Sequence, residues 1–378
     1  PYFLINQIQH YAWGSRNEEA FIPAMLGCTP EKDKPYAELW IGAHPKAPSR
    51  LKIAGQEIPL NQLMTMYPHE LLGERIAATF KQLPFLFKII SASEPLSIQV
   101  HPTKRQAIAL HKQDPQNYPD TNHKPEIAIA LDHLSALVGF KPIDQLQAVL
   151  IRYPEIAEFV GISLSTGKRN VIDGIEPFYR AFIRQANRNP DRLYQAMDTL
   201  RKRLKTLHTL TEAESLFLEM QEKFNNADVG LFSIFFLNLV HLNAGDALFL
   251  DAGIPHAYVR GNIVECMANS DNVVRAGLTQ NLHEINTLLR ICDYNGQPVI
   301  LHKNTPVFTY PTKVKEFKIT AVALEKAQAY HNQSIGPRVL FVANGEGEIQ
   351  WNNGQKSQQA QKGESFFIPS ILNAFICR

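Results

Sequence analysis

At 378 residues the chain is longer than one hydrophobic core organises, so two or three domains are expected. Apolar residues make up 45% and charged residues 20%, ordinary values for a soluble globular protein, and 38 Lys and Arg against 36 Asp and Glu leave a net charge of +2. No long basic run is present, so neither nucleic acid nor an anionic membrane surface is expected as a partner.

Pro1 to about Lys52 is punctuated by Gly14, Gly27, Gly42 and several prolines, and short runs such as Ala37–Gly42 read as strands. Pro1–Gln9 lacks the basic stretch and apolar core of a secretory leader. Around Leu60 to Lys81, the residues Leu63, Met64, Leu71, Leu72, Ile76 and Phe80 recur at helical spacing. Pro84 to Ile90 is a continuous apolar run of strand length that holds a single cation, Lys88. In Ser97–Pro102 the β-branched Ile98 and Val100 alternate with Ser97, Gln99 and His101, which predicts a strand with those three on one face. Further on, His123-Lys124-Pro125-Glu126 leads into a second strand, Ile127 to Leu131.

From Ile143 to about Phe224 the texture is helical, with Leu146, Leu150, Ile156, Phe159, Phe178, Phe182, Leu193, Met197, Leu200 and Leu204 in register. Arg201–Lys205 reads as the solvated face of such a helix. Strand character is expected again from Leu231 to Val240. The apolar run there, near Gly230 to Val240, is too short and too interrupted by Ser233 and Asn238 to span a bilayer. Gly245 to His256 then reads as turn, short strand and Pro-fixed corner. A weak internal repeat aligns Gly245 with Gly363, Leu250 with Ile368 and His256 with Ala374. It suggests two related all-β barrels, the second without its metal ligand. Cys28, Cys266, Cys292 and Cys377 are scattered without a CxxC pair and read as free thiols of a cytosolic protein.

Four candidate ligands emerge: Gln99, His101, Glu126 and His256. Two imidazoles with two oxygens suit Zn²⁺, and the same set admits Mn²⁺, Fe²⁺ or Co²⁺. A lone strand histidine is more often a hydrogen-bonded core residue, but Gln99 on the same face weakens that reading. In the dense stretch Asn262–Thr279, Glu265 is a candidate for the pocket and equally for a structural ion pair. Asn269–Asn272 is a polar turn, and Arg275 is an anion clamp or an ion-pair partner.

The chain resembles the type I mannose-6-phosphate isomerase (phosphomannose isomerase) family over nearly its whole length. The resemblance rests on Tyr11–Ser15, Ala37–Trp40, Pro95–Pro102, Asn122–Glu126, Gly253–Tyr258 and Asn269–Thr279, in matching order and spacing. It implies a mainly β fold: two cupin-type (jelly-roll) β-barrels with an inserted α-helical domain. The expected domains are a discontinuous catalytic cupin (1–142 and 238–292), a helical insertion (143–237) and a C-terminal cupin-like domain without metal ligands (293–378). It further implies one zinc per chain on Gln99, His101, Glu126 and His256, and interconversion of mannose 6-phosphate and fructose 6-phosphate. Residues matching Arg275, Lys88 and Ser97 handle phosphate or sugar, and those matching Trp13, Glu38, Lys124, Tyr258 and Glu265 line the same pocket.

Aldose–ketose isomerisation through a cis-enediol needs a base that serves C1 and C2 from one face. Glu265 is the first choice and Lys124 the second, with His123 and Asp271 as candidates for ring opening. The expected partner is a small-molecule sugar phosphate, with no nucleic acid and no membrane, for a monomer in the cytoplasm. The alternatives are a non-catalytic sugar-phosphate-binding cupin, or an isomerase with a shifted sugar-phosphate preference. The second is raised by Gln280–Asn281, where the family usually continues with proline and lysine.

Overall fold

Antiparallel pairing of long, β-branched-rich segments dominates the computed structural model, which describes residues 1–164, 171–224, 228–279 and 284–378. Among the described residues, ten strands form the main sheet. Its path runs Val299–Leu301, Ala247–Leu250, Glu126–Phe140, His256–Ala268, Phe85–Ala92, Glu38–Gly42 and Gln7–Gln9. Leu237–Asn243 pairs with the far end of Glu126–Phe140, while Ile98–Val100 bridges His256–Ala268 and Val274–Gly277.

Alternation divides the sheet into two apolar surfaces. Ile90, Ala128, Ala130, Leu134, Ala136, Val138, Leu248, Leu250, Tyr258 and Ile263 pack together on the inner face. Their neighbours one residue away, such as Ile89, Ile127, Phe249 and Val264, belong to a second cluster on the outside. Lys88 and Glu126 share the parity of the inner set, so the strands that bury them also aim them at one interior.

The curl of His256–Ala268 has a local cause. Its register against Glu126–Phe140 slips between Tyr258 and Arg260 and again between Gly261 and Ile263. Val259 is the extra residue, and a bulge of this kind reverses which parity faces inward. His256 and Tyr258 lie on the inner side before the bulge, Ile263 and Glu265 after it. Gly261 sits at φ +135°, where a Cβ would lie 2.1 Å from the carbonyl oxygen of His133.

Helices Ile143–Arg152, Pro154–Val160, Ile175–Arg188, Pro190–Leu204 and Glu212–Phe224 follow the expected helical stretch. Pro154 and Pro190 open two of them, where a missing N–H costs nothing. The ten apolar residues predicted for their inner stripe are all buried, in one cluster with Ile98, Val100, Ala257 and Val274. The helices therefore back the strands that carry Gln99 and Arg275. Arg201 and Lys202 pair with Asp198, and Arg203 pairs with Glu155, so three of the four cations of the basic run are engaged within the helices.

Two expectations need correction. Gly230–Phe236 is a helix, and the strand begins only at Leu237. All seven residues of that helix are buried, and a run apolar on every side carries no period to separate helix from strand. The helical spacing over Leu60–Lys81 is met by three short helices, Leu60–Met66, Pro68–Leu72 and Glu74–Thr79, broken where Pro68 starts a new turn and Gly73 takes φ +78°. Helix and strand thus hold roughly equal shares of the described chain, which is a mixed architecture and not a mainly β one. No described helix is long and apolar enough to cross a membrane.

Toward the C-terminus, Tyr330–Asn332, Phe375–Cys377, Glu346–Trp351 and Lys356–Gln361 form a four-stranded sheet. Ser365–Ile368 lies between Arg338–Phe341 and the N-terminal Tyr2–Phe3. Gly245 and Gly363 both adopt positive φ, and each precedes a fully buried four-residue strand. The repeat seen in the sequence therefore has a local structural counterpart.

Glu214 locks the helical region. Its side chain, 1% exposed, accepts hydrogen bonds from Arg152, the Tyr153 hydroxyl and the Thr211 backbone N–H. Burial opposes its charge, but these donors hold its carboxyl below the ordinary value. A depressed folded pKa adds stability above the unfolded value of about 4.3, and that stability is lost as pH falls through the folded pKa. Glu214→Gln should cost about 1.5–3 kcal/mol at pH 7. In urea unfolding at a series of pH values, the gap from the parent should narrow below about pH 4.

Candidate metal centre and catalytic pocket

Ile98 and Val100 pack against the helices, so Gln99 between them faces the opposite side. Gln99 stands in register with His256 on one neighbouring strand and with Arg275 on the other. Directly opposed residues share a face, so these three lie side by side. His101 follows at the strand's end, and Glu126 opens the long strand Glu126–Phe140.

His101, Glu126 and His256 are buried, with ligand atoms within 4.8 Å of one another. His101 Nε2 lies 3.4 Å from Glu126 Oε1, and His256 Nε2 lies 3.2 Å from Glu126 Oε2. Each ring donates its Nδ1–H to a backbone carbonyl at 2.9 Å, His101 to Asn272 and His256 to Ile254. That leaves both Nε2 lone pairs turned toward the carboxylate, the tautomer a metal requires. Both Nε2 atoms and both Glu126 oxygens are buried without a hydrogen-bond partner. Lys124 Nζ is 2.9 Å from Glu126 Oε1, an ion pair without hydrogen-bond geometry. Four converging acceptors with no donor fit a divalent cation.

Protonation states agree with this. Burial lowers His101 to about 4 against the pull of Glu126, so its ring is neutral. Burial disfavours a charged Glu126, yet the Lys124 ammonium beside it holds the carboxyl well below its ordinary value.

A second cluster adjoins the first. Lys88 Nζ lies 3.0 Å from Glu265 Oε2 and 3.5 Å from Glu38 Oε2. Tyr258 Oη donates to Glu265 Oε1 at 2.8 Å, a contact across seven residues that the bulged strand makes possible. Trp40 donates its indole N–H to Glu38 and lies beside the Lys88 ammonium. Burial works against Lys88, but Glu265, Glu38 and Glu126 raise it above the usual lysine range. Burial raises Glu265, and Lys88 pulls it back. Burial also raises Tyr258, which stays a hydrogen-bond donor.

The remaining predicted residues lie around these clusters. Trp13 packs against the inner apolar face and stacks on Tyr11. Ser97 immediately precedes the Gln99 strand. Asp271 is held by His44 and Lys46, and these two keep its carboxyl well below its usual value. His123 directs Nε2 at Glu316, 2.6 Å away, and not at the histidine pair. Arg275 is exposed and unpaired among the described residues. Gln280 and Asn281 lie outside the described residues. Sequence reasoning missed Trp40, His44, Lys46, Asp120 and Glu316. Only Trp40 carried a signal, lying two residues from Glu38 on the same strand face.

A buried His–Glu–His set beside a buried cluster of charged side chains fits a metal-dependent enzyme. Residues 2–143 match the model of the phosphomannose isomerase type I catalytic domain. Mannose-6-phosphate isomerase from Candida albicans is 34% identical over 95% of this chain and 91% of its own length. Mannose-6-phosphate isomerase 2 from Arabidopsis thaliana is 35% identical over 98% and 89%. A zinc-bound mannose 6-phosphate isomerase crystal structure superposes with a TM-score of 0.86 at 31% identity, covering 100% of this chain and 96% of that one. The chain belongs to the mannose-6-phosphate isomerase family.

Proposed function

We propose that this protein interconverts mannose 6-phosphate and fructose 6-phosphate, with zinc held by His101, Glu126, His256 and Gln99. The observation that carries the reading is the set of partnerless buried acceptor atoms on His101, Glu126 and His256, adjoining the Lys88–Glu265–Tyr258 cluster. Zinc, when bound, supplies positive charge that stabilises the oxygen made anionic as the sugar loses its C2 proton.

Glu265 is the base. Tyr258 fixes one of its oxygens and Lys88 the other, so the carboxylate presents one orientation to the sugar. It takes the proton from C2 of the opened aldose, and the C2–H electron pair forms the C1–C2 double bond as the C1 oxygen becomes anionic. A proton passes from O2 to O1, and Glu265 returns its proton to C1 as the C2 carbonyl forms. Lys124, beside Glu126, stabilises the enediolate oxygen. Asp271, steadied by His44 and Lys46, and His123, steadied by Glu316, serve ring opening. Lys88 is engaged by two carboxylates, so phosphate anchoring falls chiefly to the exposed Arg275, with Ser97, Trp13 and Glu38 lining the sugar site.

The same reading takes 1–142 with 238–292 as a catalytic cupin barrel, 143–237 as its helical insertion and 293–378 as a second cupin-like barrel. It takes the protein as a cytoplasmic monomer that engages neither nucleic acid nor membrane.

Glu265→Gln should keep its zinc and lose about 10²–10⁴-fold in kcat for mannose 6-phosphate conversion, measured in a coupled assay. A zinc-loaded variant with most of its turnover would remove Glu265 from the role. Arg275→Ala should raise KM for mannose 6-phosphate roughly 10–100-fold and leave the weak use of free mannose nearly unchanged, because only the phosphorylated sugar engages the guanidinium.

A further inference from the structure

The two ligand histidines are oriented in different ways. His256 donates to Ile254, two residues away, in a turn held by backbone hydrogen bonds of Gly253 with His101 and Asp293. His101 donates to Asn272, which is 171 residues away, in a segment without ladder pairing between Ala268 and Val274. Something outside the sheet must place that carbonyl.

Asp120 does so. Its carboxylate accepts hydrogen bonds from Ser270 Oγ at 2.9 Å, Asp271 N–H at 2.8 Å and Asn272 Nδ2 at 3.1 Å. Its backbone carbonyl accepts a second bond from Asn272 Nδ2 at 2.8 Å, and that of Asn122 accepts a third at 2.9 Å. Asn122 also donates from Nδ2 to the Asn269 carbonyl at 3.0 Å. Asn272 is fully buried, and the two backbone carbonyls satisfy its amide, so the Asp120 carboxylate acts chiefly through Ser270 Oγ and the Asp271 N–H on the turn that carries the Asn272 carbonyl. The same carboxylate fixes the backbone of Asp271, four residues ahead of Arg275, so it helps set the path of the loop into that strand.

We infer that Asp120 is a positioning residue for the metal centre: by clasping 270–272 it sets the Asn272 carbonyl, and through it the tautomer and aim of His101. Hydrogen-bond partners behind a ligating histidine typically change metal affinity 10–100-fold when removed. The inference rests on His101 being a metal ligand, which the zinc content of the parent protein tests separately.

The experiment measures zinc affinity by competition with a chromogenic chelator for the parent, Asp120→Ala, Asp120→Asn and Ser270→Ala, with Glu214→Gln as a distant destabilised control. Asp120→Ala should bind zinc about 10–100-fold more weakly. Asp120→Asn, which keeps one acceptor oxygen, should fall between it and the parent, and Glu214→Gln should bind zinc like the parent. Should Asp120→Ala not fold, Asp120→Asn and Ser270→Ala carry the test, each with a weakening of at least threefold. Zinc affinity within threefold of the parent in a folded Asp120→Ala, or an equal loss in Glu214→Gln, would overturn the inference. A parent that binds no zinc would instead overturn the proposed metal site.

Discussion

Burying several charges inside one sheet is the constraint on which the rest of this structure depends. Glu38, Glu126 and Glu265 share an interior with Lys88 and Lys124, all nearly out of contact with solvent. An isolated buried ion costs several kcal/mol, so each must find its opposite close by. Lys88 answers Glu265 and Glu38, and Lys124 answers Glu126. Three carboxylates against two ammoniums leave an excess negative charge, on the Lys88–Glu38–Glu265 side and next to the point where the two imidazoles meet Glu126. A dication removes that imbalance and leaves the pocket electropositive, which suits a phosphorylated sugar and an anionic enediolate.

The fold serves this by placing charges on one side of long strands and apolar residues everywhere else. Ala128, Ala130, Ala136 and Val138 are small or medium inner residues that leave room at the centre, while Ile127, Ile129 and Leu137 fill the outer contacts. The bulge at Val259 makes the two clusters neighbours, since it brings Glu265 to the face that already carries His256 and Tyr258. Behind the sheet, the helical cluster supplies a rigid backing for Ile98 and Val100, and so for Gln99.

The candidate metal ligands were legible because strand alternation is simple. Gln99 and His101 share a parity, and Glu126 and His256 each adjoin a proline that marks a strand entrance. Lys88 was legible as the lone cation in an apolar run. The contact between Tyr258 and Glu265 was not, because those residues have opposite parity and only the bulge reconciles them. Nor could the sequence separate helix from strand at Gly230–Phe236, where every residue is buried. Partners delivered by loops were likewise silent: Asp120 behind Asn272, His44 and Lys46 around Asp271, and Glu316 against His123. Their roles come from long-range closure of the chain, which no local period encodes.

The central claim is that one buried charged interior both needs the metal and uses it. The most direct measurement is a zinc titration of the chelated protein, following the thermal unfolding midpoint and mannose 6-phosphate turnover on the same samples. The account predicts that both recover together and saturate at one zinc per chain, because the acceptor atoms left without partners are the atoms that bind zinc. Turnover that survives full chelation, or zinc uptake that changes neither the midpoint nor the turnover, would contradict it.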